Sequence, residues 1–99
     1  MKTKFIALIT DFGTNYPFVG TMKGVILSIA PNVTIIDITH QIPPQDIQTG
    51  SFYLMASLKY FPKSTLFITV VDPFVGTERN ILWVKTQNYQ FICPDNGII

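Results

Sequence analysis

The sequence is short of charge, of cysteine and of histidine. Charged residues make up 13% of the chain against 47% apolar residues. Seven Lys and Arg face six Asp and Glu, a net charge of +1. The basic residues are scattered, so the chain offers no electrostatic footprint for nucleic acid. The single cysteine, Cys93, excludes an internal disulfide, and a reducing, cytoplasmic setting is expected. It lies in an apolar stretch, where inert burial is expected rather than nucleophilic use. His40 is the only histidine. With no second histidine or cysteine at ligand spacing, no zinc site is expected, and no Asp-x-Asp spacing supports magnesium. A histidine next to a proline loop reads as a hydrogen-bonded structural residue. Apolar runs such as Thr65–Val71 are far too short to span a bilayer. The basic start leads into a run that stops at Asp11 without a small-residue cleavage site, so no signal peptide is expected. There are no internal repeats and no low-complexity segments.

What is present is a regular alternation. Phe5–Thr10 (FIALIT) is continuously apolar, as a strand buried on both faces would be. Pro17 suits a helix start, and Val19, Met22, Ile26 and Ile29 follow at helical spacing. Pro31-Asn32 ends that helix, and Val33–Ile38 is a second β-branched run. Ile42-Pro43-Pro44 forbids regular structure. Asp46 is the expected N-cap of a second helix with Ile47, Ser51, Leu54, Met55 and Leu58 as its stripe. Phe61-Pro62 ends it, and Thr65–Val71 is a third buried strand. After a polar loop from Asp72 to Asn80, Ile81–Thr86 and Tyr89–Cys93 flank Gln87-Asn88 as a hairpin. Trp83, Phe52, Tyr53, Tyr60 and Phe61 are expected in the core or an interface. Ile98-Ile99 reads as the start of another buried element, and hence of a truncated design. The apolar excess on a chain of 99 residues points to surface meant for another domain or subunit. The order predicts one α/β, Rossmann-like unit with a mostly parallel sheet, flanking helices and right-handed crossovers.

Ligands of such sheets bind beyond the carboxyl ends of the strands, and the polar residues collect there. Asp11, Gly13, Thr14 and Asn15 follow the first strand. Asp37, Thr39 and His40 close the second. Asp72, Thr77, Glu78 and Arg79 follow the third, and Asp95 and Asn96 the last. In TDFGTNYPFVG, an aspartate at a strand end can accept hydrogen bonds from two vicinal hydroxyls, as on a ribose, and Gly13 permits close backbone approach. Asp11 could equally cap a turn. The loop lacks both dinucleotide and P-loop glycine spacing. In VVDPFVGTER, Asp72 and Arg79 can pair across the loop, which orients a carboxylate able to hold water. A surface salt bridge is the alternative.

Taken together, ITDFGT, MKGVILSIAPNVTIIDITHQIPPQDI, YFPKSTLFITVVDPFVGTERN and CPDNG resemble successive hallmarks of the S-adenosyl-L-methionine (SAM) hydroxide adenosyltransferases, relatives of the SAM-dependent fluorinases and chlorinases. The resemblance runs through essentially the whole chain and implies that residues 1–99 are the N-terminal part of the family's N-terminal domain, with its C-terminal β-barrel absent. It implies SAM as substrate: water or hydroxide displaces L-methionine from C5′ and leaves adenosine, with no metal or further cofactor. It implies Asp11 as the ribose-holding carboxylate, with Phe12, Gly13 and Asn96 as further substrate-binding residues. Asp72 and Arg79 match two members of an Asp–Arg–His set that positions the attacking water. The histidine of that set lies downstream of Asn96-Gly97 in the family, so the isolated chain is expected to be weakly active or inactive. The family implies a homotrimer at full length. Two alternatives stay open: a non-catalytic SAM- or adenosine-binding remnant, favoured by Tyr16, Gln45 and Phe74 where relatives usually carry other residues, and a structural or assembly module.

Overall fold

The computed structural model describes residues 3–71 and 80–99. Strands β1 (Phe5–Thr10), β2 (Thr34–Thr39), β3 (Leu66–Val70), β4 (Ile81–Lys85) and β5 (Gln90–Pro94) form one sheet in the order β2-β1-β3-β5-β4. Helices α1 (Phe18–Ile29) and α2 (Ile47–Ser57) make the first two crossovers, and α2 runs on into a 3-10 turn at Leu58–Tyr60. All pairs are parallel except β4–β5. The α/β class, the mostly parallel sheet and the closing hairpin therefore stand as expected.

Register explains the core. Ala7, Phe67 and Phe91 lie side by side on one face, and α2 covers it through Leu54. Phe67 stacks on Phe91 at 5.6 Å and meets Phe61 and Tyr89 edge-on at 5.3 and 5.5 Å, the offsets that aromatic quadrupoles favour. Helix α1 lies on the opposite face, where its Lys23 reaches Asp37, the register partner of Leu8. One helix on each face leaves β1 buried from both sides, which is why its run is continuous rather than alternating.

Strand β2 is an edge strand, and its Thr34 and Asp37 are exposed. Two expectations on the helices need correcting. On α1, Val19, Met22 and Ile26 are half-buried as expected, but Ile29 is 80% exposed and no residue of the helix is buried. On α2, Met55 faces outward and Gly50 takes the inward place. Here helical spacing alone could not choose which of several apolar residues the sheet would receive. Asp46 caps α2, accepting from Thr49 N–H at 3.1 Å and from its hydroxyl at 2.6 Å, as its position predicts. Of the aromatics, Phe61 packs on the core, whereas Phe52, Tyr53, Tyr60 and Trp83 are exposed. Ile98 is a core residue at the tip of the chain, seated with Val71 against Gly50. Among the described residues, no helix is long and apolar enough to cross a membrane.

A Cβ on Gly50 would stand 3.0 Å from Ile98 Cδ1 and 3.2 Å from Val71 Cγ2, while one on Gly24 of α1 would meet open space. Gly24→Ala should therefore raise stability by up to about 1 kcal/mol through helix propensity. Gly50→Ala should lower it by about 1 kcal/mol, because overpacking outweighs the same gain. Denaturant unfolding checks both. Ile98→Val removes the Cδ1, so the Gly50→Ala/Ile98→Val double variant should lose less than the sum of the single losses.

Candidate functional site

The first two crossovers run over opposite faces of the sheet. The chain goes from β1 out to β2 over one face and returns across β1 to β3 over the other. The carboxyl ends of β1 and β3 therefore form a topological switch point, the place where sheets of this kind receive ligands. Asp11 N–H donates to Val70 O across it at 3.3 Å. One residue on, Val71 O accepts from Asn96 Nδ2 at 2.8 Å, and Asn96 Oδ1 accepts from Ile98 N–H at 3.2 Å. Asp11 and Asn96 thus hang from consecutive carbonyls at the end of β3.

The loops after β1 and β2 are stitched together. Gly13 N–H donates to His40 O at 2.7 Å and Ile42 N–H to Thr10 O at 3.4 Å. Gln41 Nε2 donates to Thr14 Oγ1 at 3.3 Å. Gln45 N–H donates to Asp11 Oδ2 at 2.8 Å, and among the described residues it is the one donor to that carboxylate. Gly13 has φ +71° and Gln45 φ +65°. Glycine adopts this left-handed conformation freely, whereas a residue with a Cβ is strained by about 1–2 kcal/mol. The strain at Gln45 aims its N–H at the carboxylate, a charge-assisted bond of the stronger kind.

Beneath the loops lies a polar chain that runs from a buried end at Thr10 and His40 to the surface at Asp37 and Lys23. His40 is 6% exposed and Thr10 fully buried. Thr10 Oγ1 lies 2.7 Å from His40 Nδ1, His40 Nε2 lies 2.7 Å from Asp37 Oδ1, and Lys23 Nζ lies 2.6 Å from Asp37 Oδ2. Phe12 N–H donates to Thr10 Oγ1 at 3.2 Å. Burial pushes the Asp37 carboxyl up, but hydrogen bonds and charge from Lys23 and His40 outweigh it and hold the group below its usual range.

The structure thus brings Asp11, Gly13 and Asn96 to one sheet edge. Phe12 is half-buried there, with its ring edge-on to Phe18 at 6.3 Å. Asp72 and Arg79 fall outside the described residues. The structural reading of His40 holds, with partners on both ring nitrogens. Cys93 is buried, and burial pushes its thiol up, away from nucleophilic use. Among the described residues no group of three His, Cys, Asp or Glu could hold a metal ion. Two contributors escape sequence reasoning. The Gln45 backbone N–H carries no residue signature, and Thr10 is hidden as the last residue of an apolar strand. The one available hint for the polar chain is Asp37 and His40 spaced three residues apart at a strand end.

Comparison with known proteins adds a family. Residues 6–99 match the family model of the SAM hydroxide adenosyltransferase N-terminal domain. The chain is 44% identical over 98 residues to an (R)-S-adenosyl-L-methionine hydrolase of Methanocaldococcus jannaschii, covering 94% of this chain and 37% of that protein. It is 40% identical over 72 residues to a fluorinase of an Actinoplanes species, covering 73% of this chain and 24% of that protein. Its fold superposes on a crystal structure of an uncharacterized conserved protein from Thermotoga maritima with a TM-score of 0.90 at 41% identity, covering 95% of this chain and 36% of that one. The chain thus matches a little over a third of the hydrolase and of the Thermotoga maritima protein, and about a quarter of the fluorinase.

The depressed Asp37 carboxyl sets an acid limit. Its contribution to stability is complete above the ordinary value of 3.8 and is lost as the pH falls through the lower folded value. Asp37→Asn should therefore lower the melting temperature at neutral pH. The gap to the unaltered chain should close as the pH drops below 3.8, as thermal melts across the acid range would register.

Proposed function

The chain belongs to the SAM hydroxide adenosyltransferase family, and we propose that it forms the nucleoside-holding part of an enzyme in which water or hydroxide displaces L-methionine from C5′ of SAM. The observation that carries this reading is Asp11 at the β1/β3 switch point, with one carboxylate oxygen tied to Gln45 N–H. A carboxylate held in this way is oriented to accept from the 2′- and 3′-hydroxyls of a ribose, while Gly13 lets the backbone come close. Such bonds are charge-assisted, and each is worth about 1.5–3 kcal/mol.

The chemistry asks for little beyond positioning. The water oxygen attacks C5′ in line with the C–S bond. That bond's electron pair leaves with sulfur, which turns the sulfonium into the neutral thioether of methionine. The attacking water releases a proton, and adenosine remains. Because sulfonium is a good leaving group, alignment and an activated nucleophile suffice. Asp72 and Arg79, carried over from the family motif, are the pair that would orient the water. A carboxylate in a desolvated pocket repels halide, which favours water over the chemistry that the fluorinase relative's name denotes. The homotrimer that the family implies and the cytoplasmic location expected from the single cysteine belong to the same proposal.

The binding step tests the reading most directly. Titration calorimetry should show adenosine binding, and Asp11→Asn should weaken it by about tenfold or more. With 2′,3′-dideoxyadenosine the two proteins should bind alike. Equal loss with both nucleosides would remove the ribose role from Asp11. In oxygen-18 water, any adenosine formed from SAM should carry the label at its 5′-hydroxyl, read by mass spectrometry.

A further inference from the structure

The chain Lys23–Asp37–His40–Thr10 lies beside the site, buried at its Thr10–His40 end, and the chemistry above does not use it. Its order is that of a nucleophile, a base and an orienting acid. Thr10, however, is fully buried and its oxygen already accepts from Phe12 N–H, so no reacting atom can reach it. The constellation acts on the loop, not on a substrate.

We propose that His40 is a positioning residue for the Asp11–Gly13 segment, holding it through ring and backbone at once. The proposal rests on the reading that Asp11 receives the nucleoside. The proton arrangement follows from the partners. An ionised Asp37 can only accept, so in the neutral imidazole His40 Nε2 carries the proton and Nδ1 presents a lone pair. The Thr10 hydroxyl must then donate to Nδ1, which turns its remaining lone pairs toward Phe12 N–H, 3.2 Å away. His40's own carbonyl takes Gly13 N–H at 2.7 Å. The amides of Phe12 and Gly13, the two residues after Asp11, are thereby fixed by a single residue. Lys23 occupies the second oxygen of Asp37 at 2.6 Å and so links the ring's orientation to α1. Every buried polar atom of the chain has a partner, the condition under which such a network rigidifies its surroundings.

Amide hydrogen exchange on the chain, with and without adenosine, tests the proposal. His40→Leu should speed exchange at Phe12 and Gly13 by about tenfold, the factor carried by one net hydrogen bond. Amides of β3 and β5 should not change, and adenosine affinity should fall by a similar factor. His40→Asn places an acceptor where Nδ1 stood and should restore protection. His40→Gln places a donor toward Asp37 instead and should not. Long-range proton–nitrogen correlation should show the proton on Nε2. Unchanged exchange in His40→Leu, equal loosening throughout the sheet, better rescue by glutamine than by asparagine, or a proton on Nδ1 would each overturn the proposal. So would loosened loop amides with adenosine affinity intact. If the unaltered chain binds no adenosine while the exchange pattern is as described, the nucleoside reading fails and the positioning of the loop stands.

Discussion

The site depends on β1 lying between β2 and β3. That one adjacency sends the two helical crossovers to opposite faces and makes the carboxyl edge between β1 and β3 a switch point. Asp11 then leaves β1 beside the end of β3, and its N–H is taken by Val70 O across the gap. Parallel neighbours need long connections, and a right-handed hand for both leaves this as the arrangement in which each helix can cover a face. Residues far apart in sequence, around 11, 40, 71 and 96, thus meet without any of them being close along the chain.

The loops after β1 and β2 behave as one piece. Five hydrogen bonds join them: four from Gly13, Ile42, Gln41 and Gln45, and one between Thr10 and His40. The left-handed backbone at Gln45 is tolerated because its N–H reaches a carboxylate, a bond stronger than one between neutral groups. Strain of this kind survives only where surrounding contacts over-determine it, and the Pro43-Pro44 segment and the Asp46 cap supply those contacts. A site intended to hold a ribose needs this stiffness, since a hydroxyl pair is recognised only by acceptors already in place.

The apolar excess of the composition is visible on the surface. Phe18, Val25 and Ile29 on α1, Phe52 and Met55 on α2, and Ile81 and Trp83 on β4 all stand well exposed. A chain of this size buries a limited share of its surface, so some apolar groups stay outside whatever the fold. Helix α1 shows the effect most strongly, with half-buried residues on its inner face and none fully covered.

Much of the architecture was legible in the residues. Strand and helix order followed from runs and breakers: FIALIT, Pro17, Asp46, Phe61-Pro62 and the hairpin around Gln87-Asn88 each act through local backbone chemistry. The carboxyl-edge clustering of Asp11, Gly13 and Asn96 followed from strand order alone. Other features were decided only by the tertiary structure. Local pattern cannot tell an edge strand from a central one, so only the sheet order places β2 at the edge. It cannot rank apolar residues on a helix, so Gly50 was missed and Met55 misplaced. Nor can it reveal that a backbone N–H at Gln45 faces Asp11, or that Thr10, His40, Asp37 and Lys23 form one polar chain. Those contacts join two strand ends and a helix, and they exist only once the crossovers have set those elements side by side.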